Sequence, residues 1–243
     1  MKTTRAFLVG LTSAALLGLP GAALANPPAQ SSAPDQSTAT MQMSVSRHQT
    51  AIRYLPFSHI RSYGSTVGIR GQVVGSAQGK RGALAGVQVR LYRQLNGNSA
   101  WVYQATRRTG TGPFPQFTFG AFARQNAHYK VVFGGNPSFQ PSAKTTWLTV
   151  FRLFHGVITD GTNTANLHGF VTPYYTGKPI ALQKRSCAAC DYLTVKRITT
   201  GTDGVYSFAL PAPASGRWWW RVAIPGTVAY LASYGGTFTT ELR

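Results

Sequence analysis

In Tyr129-Lys-Val-Val-Phe133 the large apolar residues stand two apart, and a shift of 91 residues lays the segment on Trp220-Arg-Val-Ala-Ile224, where they stand two apart in the same phase. That spacing puts them on one face of a β-strand. The same shift, without a gap, places Leu91 on Leu182, Trp101 on Tyr192, Thr109-Gly-Thr111 on Thr200-Gly-Thr202, and Phe117 on Phe208. Further along, Phe139 meets Tyr230, Ser142 meets Ser233 and Trp147 meets Phe238. Aromatics fall on aromatics and turns on turns, which is the signature of a duplicated domain of about 90 residues.

Neighbouring runs read the same way. Val87-Gln-Val-Arg-Leu91, Phe117-Thr-Phe119 and Thr146-Trp-Leu-Thr-Val150 are short and broken by Gly, Pro or Asn roughly every 8–12 residues, the spacing of a β-sandwich. No window beyond the first 25 residues keeps a helical apolar period. The expected organisation is one sandwich over residues 46–152 and a second over 153–243, joined near Arg152 to His155. The expected core is Val89, Leu91, Trp101, Phe117, Tyr129, Val131 and Trp147, then Ile180, Leu182, Tyr192, Phe208, Trp220, Val222 and Phe238.

The chain opens Met-Lys-Thr-Thr-Arg, continues through an apolar stretch from Ala6 to Leu19, and reaches Ala23-Leu-Ala25. A basic head, an apolar middle and small residues before the cut describe a secretory leader over residues 1–25. Residues 26–45, rich in Pro, Ser, Thr and Gln, offer too little apolar surface to offset backbone entropy and read as a disordered tether. No later run is apolar enough to span a bilayer, and the final Thr-Glu-Leu-Arg lacks an anchoring tail. The expected location is secreted, with any cell-wall association noncovalent.

Of 243 residues, 24 are Lys or Arg and 5 are Asp or Glu, a formal net charge of +19; loss of Lys2 and Arg5 with the leader lowers it by two. With 43% hydrophobic residues, the chain carries a core that a disordered polycation lacks.

Two segments carry a resemblance. Ala85-Gly-Val-Gln-Val-Arg-Leu-Tyr-Arg93 with its Thr-Gly turn, Phe-x-Phe and Tyr-Lys-Val-Val-Phe has a counterpart in Gly169-Phe-Val-Thr-Pro173, Gly177-Lys-Pro-Ile-Ala-Leu-Gln-Lys-Arg185, Thr202-Asp-Gly204, Tyr206-Ser-Phe208 and Trp220-Arg-Val222. Together they resemble tandem secreted immunoglobulin-like or prealbumin-like (carboxypeptidase-regulatory-like) repeats of high-GC Gram-positive bacteria. The resemblance implies an all-β protein of two tandem immunoglobulin-like β-sandwiches. About activity it implies little, because such modules serve as adhesive, spacer and polymer-binding parts. The first copy departs from the pattern at Gly112-Pro-Phe-Pro115, where a simpler turn is usual.

Cys187-Ala-Ala-Cys190 replaces Asn96-Gly-Asn-Ser99 at a strand link. In an exported chain the two thiols most simply pair as a local staple; an intermolecular bond, a redox pair or half of a metal site are the alternatives. In Trp218-Trp-Trp220 alternation sends Trp218 and Trp220 to the core face and Trp219 outward with Arg217 and Arg221, to meet a sugar or cation or to cover the sheet. Basic doublets stand at Lys80-Arg81, Arg107-Arg108, Lys184-Arg185 and Lys196-Arg197. Candidate binding residues are therefore Arg107, Arg108, Lys184, Arg185, Lys196, Arg197, Arg217, Trp219 and Arg221.

Five carboxylates in unrelated contexts, five His without metal-ligand spacing and no nucleophile-elbow motif favour a non-catalytic protein, with no cofactor, catalytic residue or metal expected. The uncompensated charge points to anionic partners: teichoic acid-like polymers, acidic polysaccharide, anionic lipid or, nonspecifically, extracellular DNA. No groove-reading helix or base-stacking motif marks specific nucleic-acid recognition. The two alternatives are a carbohydrate-binding module using exposed aromatics such as Trp219, Tyr174 and Tyr175, and a structural spacer or adhesion domain.

Overall fold

Period-two burial runs through most strands of the computed structural model, which describes residues 46–77, 79–160 and 164–241. The leader (1–25) and the tether (26–45) lie outside the described residues. In chain order the strands are β1 (Thr50–Tyr54), β2 (Ile60–Ser62), β3 (Thr66–Ala77), β4 (Lys80–Ala83), β5 (Gln88–Leu95), β6 (Val102–Arg108), β7 (Phe117–Phe122), β8 (Ala127–Phe133) and β9 (Ser142–Phe151). They continue as β10 (Leu153–Thr159), β11 (Thr164–Thr172), β12 (Pro179–Arg185), β13 (Leu193–Thr199), β14 (Val205–Pro211), β15 (Arg217–Ile224), β16 (Ser233–Tyr234) and β17 (Phe238–Glu241). No helix occurs among the described residues. The protein is all-β among the described residues, its strands gathered into four sheets.

One sheet joins β1, β3, β4 and β7, and another runs β2-β9-β8-β5-β6. Val67, Ile69, Phe117 and Phe119 of the first meet Val89, Leu91, Tyr129, Val131, Leu148 and Val150 of the second in one buried cluster. Farther along, β10-β11-β14 and β13-β12-β15-β16, with β17 beside β15, form two more sheets. Their shared cluster sets Leu167, Val171, Tyr206, Phe208 and Leu210 against Ile180, Leu182, Trp220, Val222 and Ile224.

The repeat holds at the level of strand register. Tyr92 pairs with Lys130, and Gln183 with Arg221. A register break falls between Leu91 and Tyr92, and again between Leu182 and Gln183. The Thr109 hydroxyl donates to the Leu84 carbonyl and that of Thr200 to the Tyr175 carbonyl, while Gly86 N–H and Gly177 N–H donate to the carbonyls of Thr109 and Thr200. Both glycines have positive φ, 65° and 61°, which side chains with a Cβ adopt only at a cost.

Elsewhere the gapless shift fails, and three core expectations fail with it. Gly110 N–H reaches the Gln116 carbonyl, whereas Gly201 N–H reaches Val205, two residues sooner. Phe117 is therefore the counterpart of Tyr206, each facing a glycine (Gly71 and Gly169) across its sheet, and Phe119 is the counterpart of Phe208. Near the end of each copy Tyr129 pairs with Thr146 but Trp220 with Phe238, one residue out of step. A one-residue slip exchanges the faces of a strand, so Trp147 points outward at 53% exposure and Leu148 and Val150 fill the core. Trp101 and Tyr192 are half-buried outside both clusters, while Phe238 packs half-buried against the second.

The two halves interlock through the segment 225–232, between β15 and β16. Asn126 N–H donates to the Ala229 carbonyl (2.8 Å) and its amide to the Val228 carbonyl (3.1 Å), and Leu231 N–H donates to the Val150 carbonyl (2.8 Å). The Tyr230 ring packs against the first core and its hydroxyl donates to the Arg124 carbonyl at 2.8 Å. Arg152, the one residue between β9 and β10, is 5% exposed, its guanidinium 4.0 Å from the Tyr230 ring and 4.9 Å from Tyr175. Burial lowers its pKa, and both tyrosines are pushed up by burial.

Candidate functional site

Alternation on β12 buries Ile180 and Leu182, and on β15 Trp220, Val222 and Ile224. The opposite face of that sheet carries Gln183 and Arg185 on β12 and Arg217, Trp219 and Arg221 on β15. There Arg221 lies 4.0 Å from the Tyr192 ring and 4.2 Å from that of Tyr234, and Arg185 lies 4.8 Å from Tyr192 and 5.6 Å from Trp219. The result is a ladder in which guanidinium planes and aromatic rings interleave. Each exposed cation–π pair is worth about 0.5–1 kcal/mol, enough to bias long side chains toward one rotamer.

Neutral oxygens complete the restraint. Arg221 Nε donates to Gln183 Oε1 at 2.8 Å, and Arg185 Nη1 to the Ala188 carbonyl at 2.6 Å. Ala188 belongs to the loop closed by the Cys187–Cys190 disulfide, so the staple positions an acceptor for a ladder cation. Neither contact supplies a negative charge to cancel that of the guanidinium.

The other candidates are placed differently. Lys184 points to the core side, its Nζ 3.6 Å from the Trp218 ring. Arg217 donates to Glu241 Oε2 at 2.7 Å, both side chains about half exposed, so the pair is of little energetic weight. Lys196 and Arg197 are exposed on β13. Arg107 and Arg108 belong to the first sandwich; Arg108 donates to the Gly86 carbonyl at 2.8 Å and, with Arg90, lines a concavity of about 640 Å³. The structure thus brings together Arg185, Trp219 and Arg221.

Tyr175 is corrected: it is 3% exposed, its hydroxyl donating to the Pro179 carbonyl at 3.1 Å, and offers no ring to a ligand, whereas Tyr174 is 81% exposed. Sequence reasoning missed Tyr192 and Tyr234. The signal for Tyr192 was available, since the repeat gives both Trp101 and Tyr192 a cation partner, Lys130 and Arg221.

Among the described residues no group of three or more His, Cys, Asp or Glu is placed to hold a metal ion. Asp203 Oδ1 accepts from Val205 N–H in a turn. No described helix is long and apolar enough to cross a membrane.

No family model matches the chain, and no curated protein does. Among solved structures, the chain is similar to the human OSCAR ligand-binding domain (15% identity, TM-score 0.29, covering 79% of this chain and 99% of that one). It is also similar to the D0-D1 domain of intimin (10%, TM-score 0.28, 79% and 97%) and to a marsupial T cell receptor (10%, TM-score 0.27, 80% and 64%). At these values the likenesses carry nothing about ligand or activity.

Proposed function

We propose that this chain is a secreted, non-catalytic binding module that retains anionic polymers of a cell surface or matrix on the outer face of β12 and β15. The observation that carries the reading is the ladder of Arg185 and Arg221 on Tyr192, Tyr234 and Trp219. Stacking fixes the plane of each guanidinium; with Arg221 Nε given to Gln183 and Arg185 Nη1 to Ala188, the N–H groups beyond those are held in the orientation that meets carboxylate or phosphate. Preorganisation lowers the entropy lost on binding. The formal charge of the full chain, +19 and lower by two once Lys2 and Arg5 leave with the leader, adds a field that draws polyanions from a distance.

Binding of this kind releases counterions, so affinity falls steeply as salt rises. Retention of the chain on an immobilised acidic polysaccharide should collapse with added salt, and the Arg185→Gln, Arg221→Gln double variant should elute earlier than wild type. Retention indifferent to salt would overturn the reading. Attachment to a neutral glycan that survives high salt and vanishes in Trp219→Ala would replace it with carbohydrate recognition by aromatics.

A further inference from the structure

The duplication conserves a feature outside either core. Lys130 Nζ lies 4.3 Å from the Trp101 ring and 5.8 Å from that of Tyr92. Shifted by 91 residues, Lys130 becomes Arg221 and Trp101 becomes Tyr192, and these too are stacked, at 4.0 Å. In both copies the cation sits on the strand paired with β5 or β12 (β8, β15), and the aromatic lies just before the edge strand (β6, β13). The β-bulge beside it falls at the same step, after Leu91 and after Leu182. The side chains themselves differ, Lys against Arg and Trp against Tyr, so what both copies share is a charge held over a ring on the outer face of the five-stranded sheet.

We propose that each sandwich carries one such subsite and that the two bind acidic sugar units of the same polymer, a uronate-bearing polysaccharide. The proposal rests on the anion-binding reading above and names its ligand. Cations already lie over the rings of Trp101, Tyr192 and Tyr234, which takes one face of each from the base stacking on which single-stranded nucleic-acid binding relies. What surrounds the charges is hydrogen-bonding: Tyr103 with Thr106 at the first subsite, Gln183 with Thr194 at the second. Such neutral partners suit the hydroxyls of a pyranose, while the ammonium or guanidinium takes its carboxylate. A polyol phosphate supplies the charge but carries its hydroxyls on a flexible chain, whereas a pyranose presents them from a rigid ring and loses less entropy on binding. Two subsites on one chain also let a polymer engage both, which multiplies apparent affinity without further contacts.

The test is calorimetric titration of the full chain at low salt with a galacturonic acid tetramer. Wild type should take up two tetramers per chain. Lys130→Gln and Arg221→Gln should each leave one, with affinity at the altered subsite down at least about tenfold, and the double variant should leave none. Lys130→Arg and Arg221→Lys should both retain two, because the repeat already accepts either cation. A carboxyl-reduced tetramer should not bind. One tetramer per chain in wild type, or an undiminished count in the double Gln variant, would overturn the subsites while sparing the broader reading. Equal binding of the carboxyl-reduced tetramer, of polyphosphate or of a single-stranded DNA oligomer would overturn the uronate assignment. Failure of wild type to bind any anion would remove the broader reading as well. Melting curves of the Gln variants show whether a lost site is a lost fold, and the wild-type count decides the proposal without any substitution.

Discussion

At the residue scale the tightest constraints are two glycines that face an aromatic across the sheet. A Cβ built on Gly169 would stand 2.1 Å from the His155 carbonyl oxygen and 2.5 Å from the Tyr206 hydroxyl, and on Gly71 2.5 Å from Phe117 and 2.6 Å from the Arg53 carbonyl oxygen. Overpacking costs about 1–3 kcal/mol and sometimes more, and a carbonyl in a paired strand cannot step aside. Gly169→Ala should fall at or above the top of that range in urea denaturation, Tyr206→Phe should not rescue it, and Gly236→Ala, with nothing within 4 Å, should be silent. Tyr206 sets a pH limit too. Burial pushes its hydroxyl up to about 12, as it does that of Tyr54; unfolded, both ionise near 10. Between those values the folded state holds more protons, so the stability present below about pH 10 is lost as pH rises toward 12. Urea midpoints should decline across that window, less steeply in Tyr206→Phe.

At the element scale the Cys187–Cys190 loop joins stability to site geometry. A ring this short limits the unfolded chain modestly, about 2 kcal/mol or less. The Cys187→Ser, Cys190→Ser variant should lose that much. Because the Ala188 carbonyl holds Arg185, it should also weaken polyanion retention in proportion to the loss of Arg185→Gln alone; unchanged retention would confine the loop to stability. Much at this scale was legible in the sequence. Period-two runs at Tyr129 to Phe133 and Trp220 to Ile224, with their 91-residue spacing, revealed paired strands and a duplicated sandwich. A constant shift could not reveal where the copies differ in length. Phe117 was therefore matched to Phe208 instead of Tyr206, and Trp147, one residue out of step, was turned to the wrong face. The candidate site was half legible: alternation turned Trp219 and Arg221 outward, but Tyr234 joins Arg221 only through the pairing of Ala223 with Tyr234, which no local pattern announces.

At the scale of the whole molecule the buried Arg152 couples the two cores. Its Nε and Nη1 have no hydrogen-bond partner, so the rings of Tyr175 and Tyr230 are its compensation for desolvation. Arg152→Ala removes the cation from both rings and should cost about 2 kcal/mol, the worth of a desolvated cation–π contact. In scanning calorimetry it should turn one unfolding transition into two; a single transition in the variant would show that the segment 225–232 suffices as the coupling.

That segment also sets an order of events during synthesis. The carbonyls of Arg124 and Val150 and the N–H of Asn126 receive their partners from Tyr230, Leu231 and Ala229, residues made about 80 positions after Val150. At about 5–20 residues per second a ribosome leaves the first sandwich without these contacts for about 4–16 s. The first half of the chain can collapse as soon as it emerges, but its lower rim is finished only by the second half, so the nascent chain passes through a stage in which Asn126 and the end of β9 are open to any other partner.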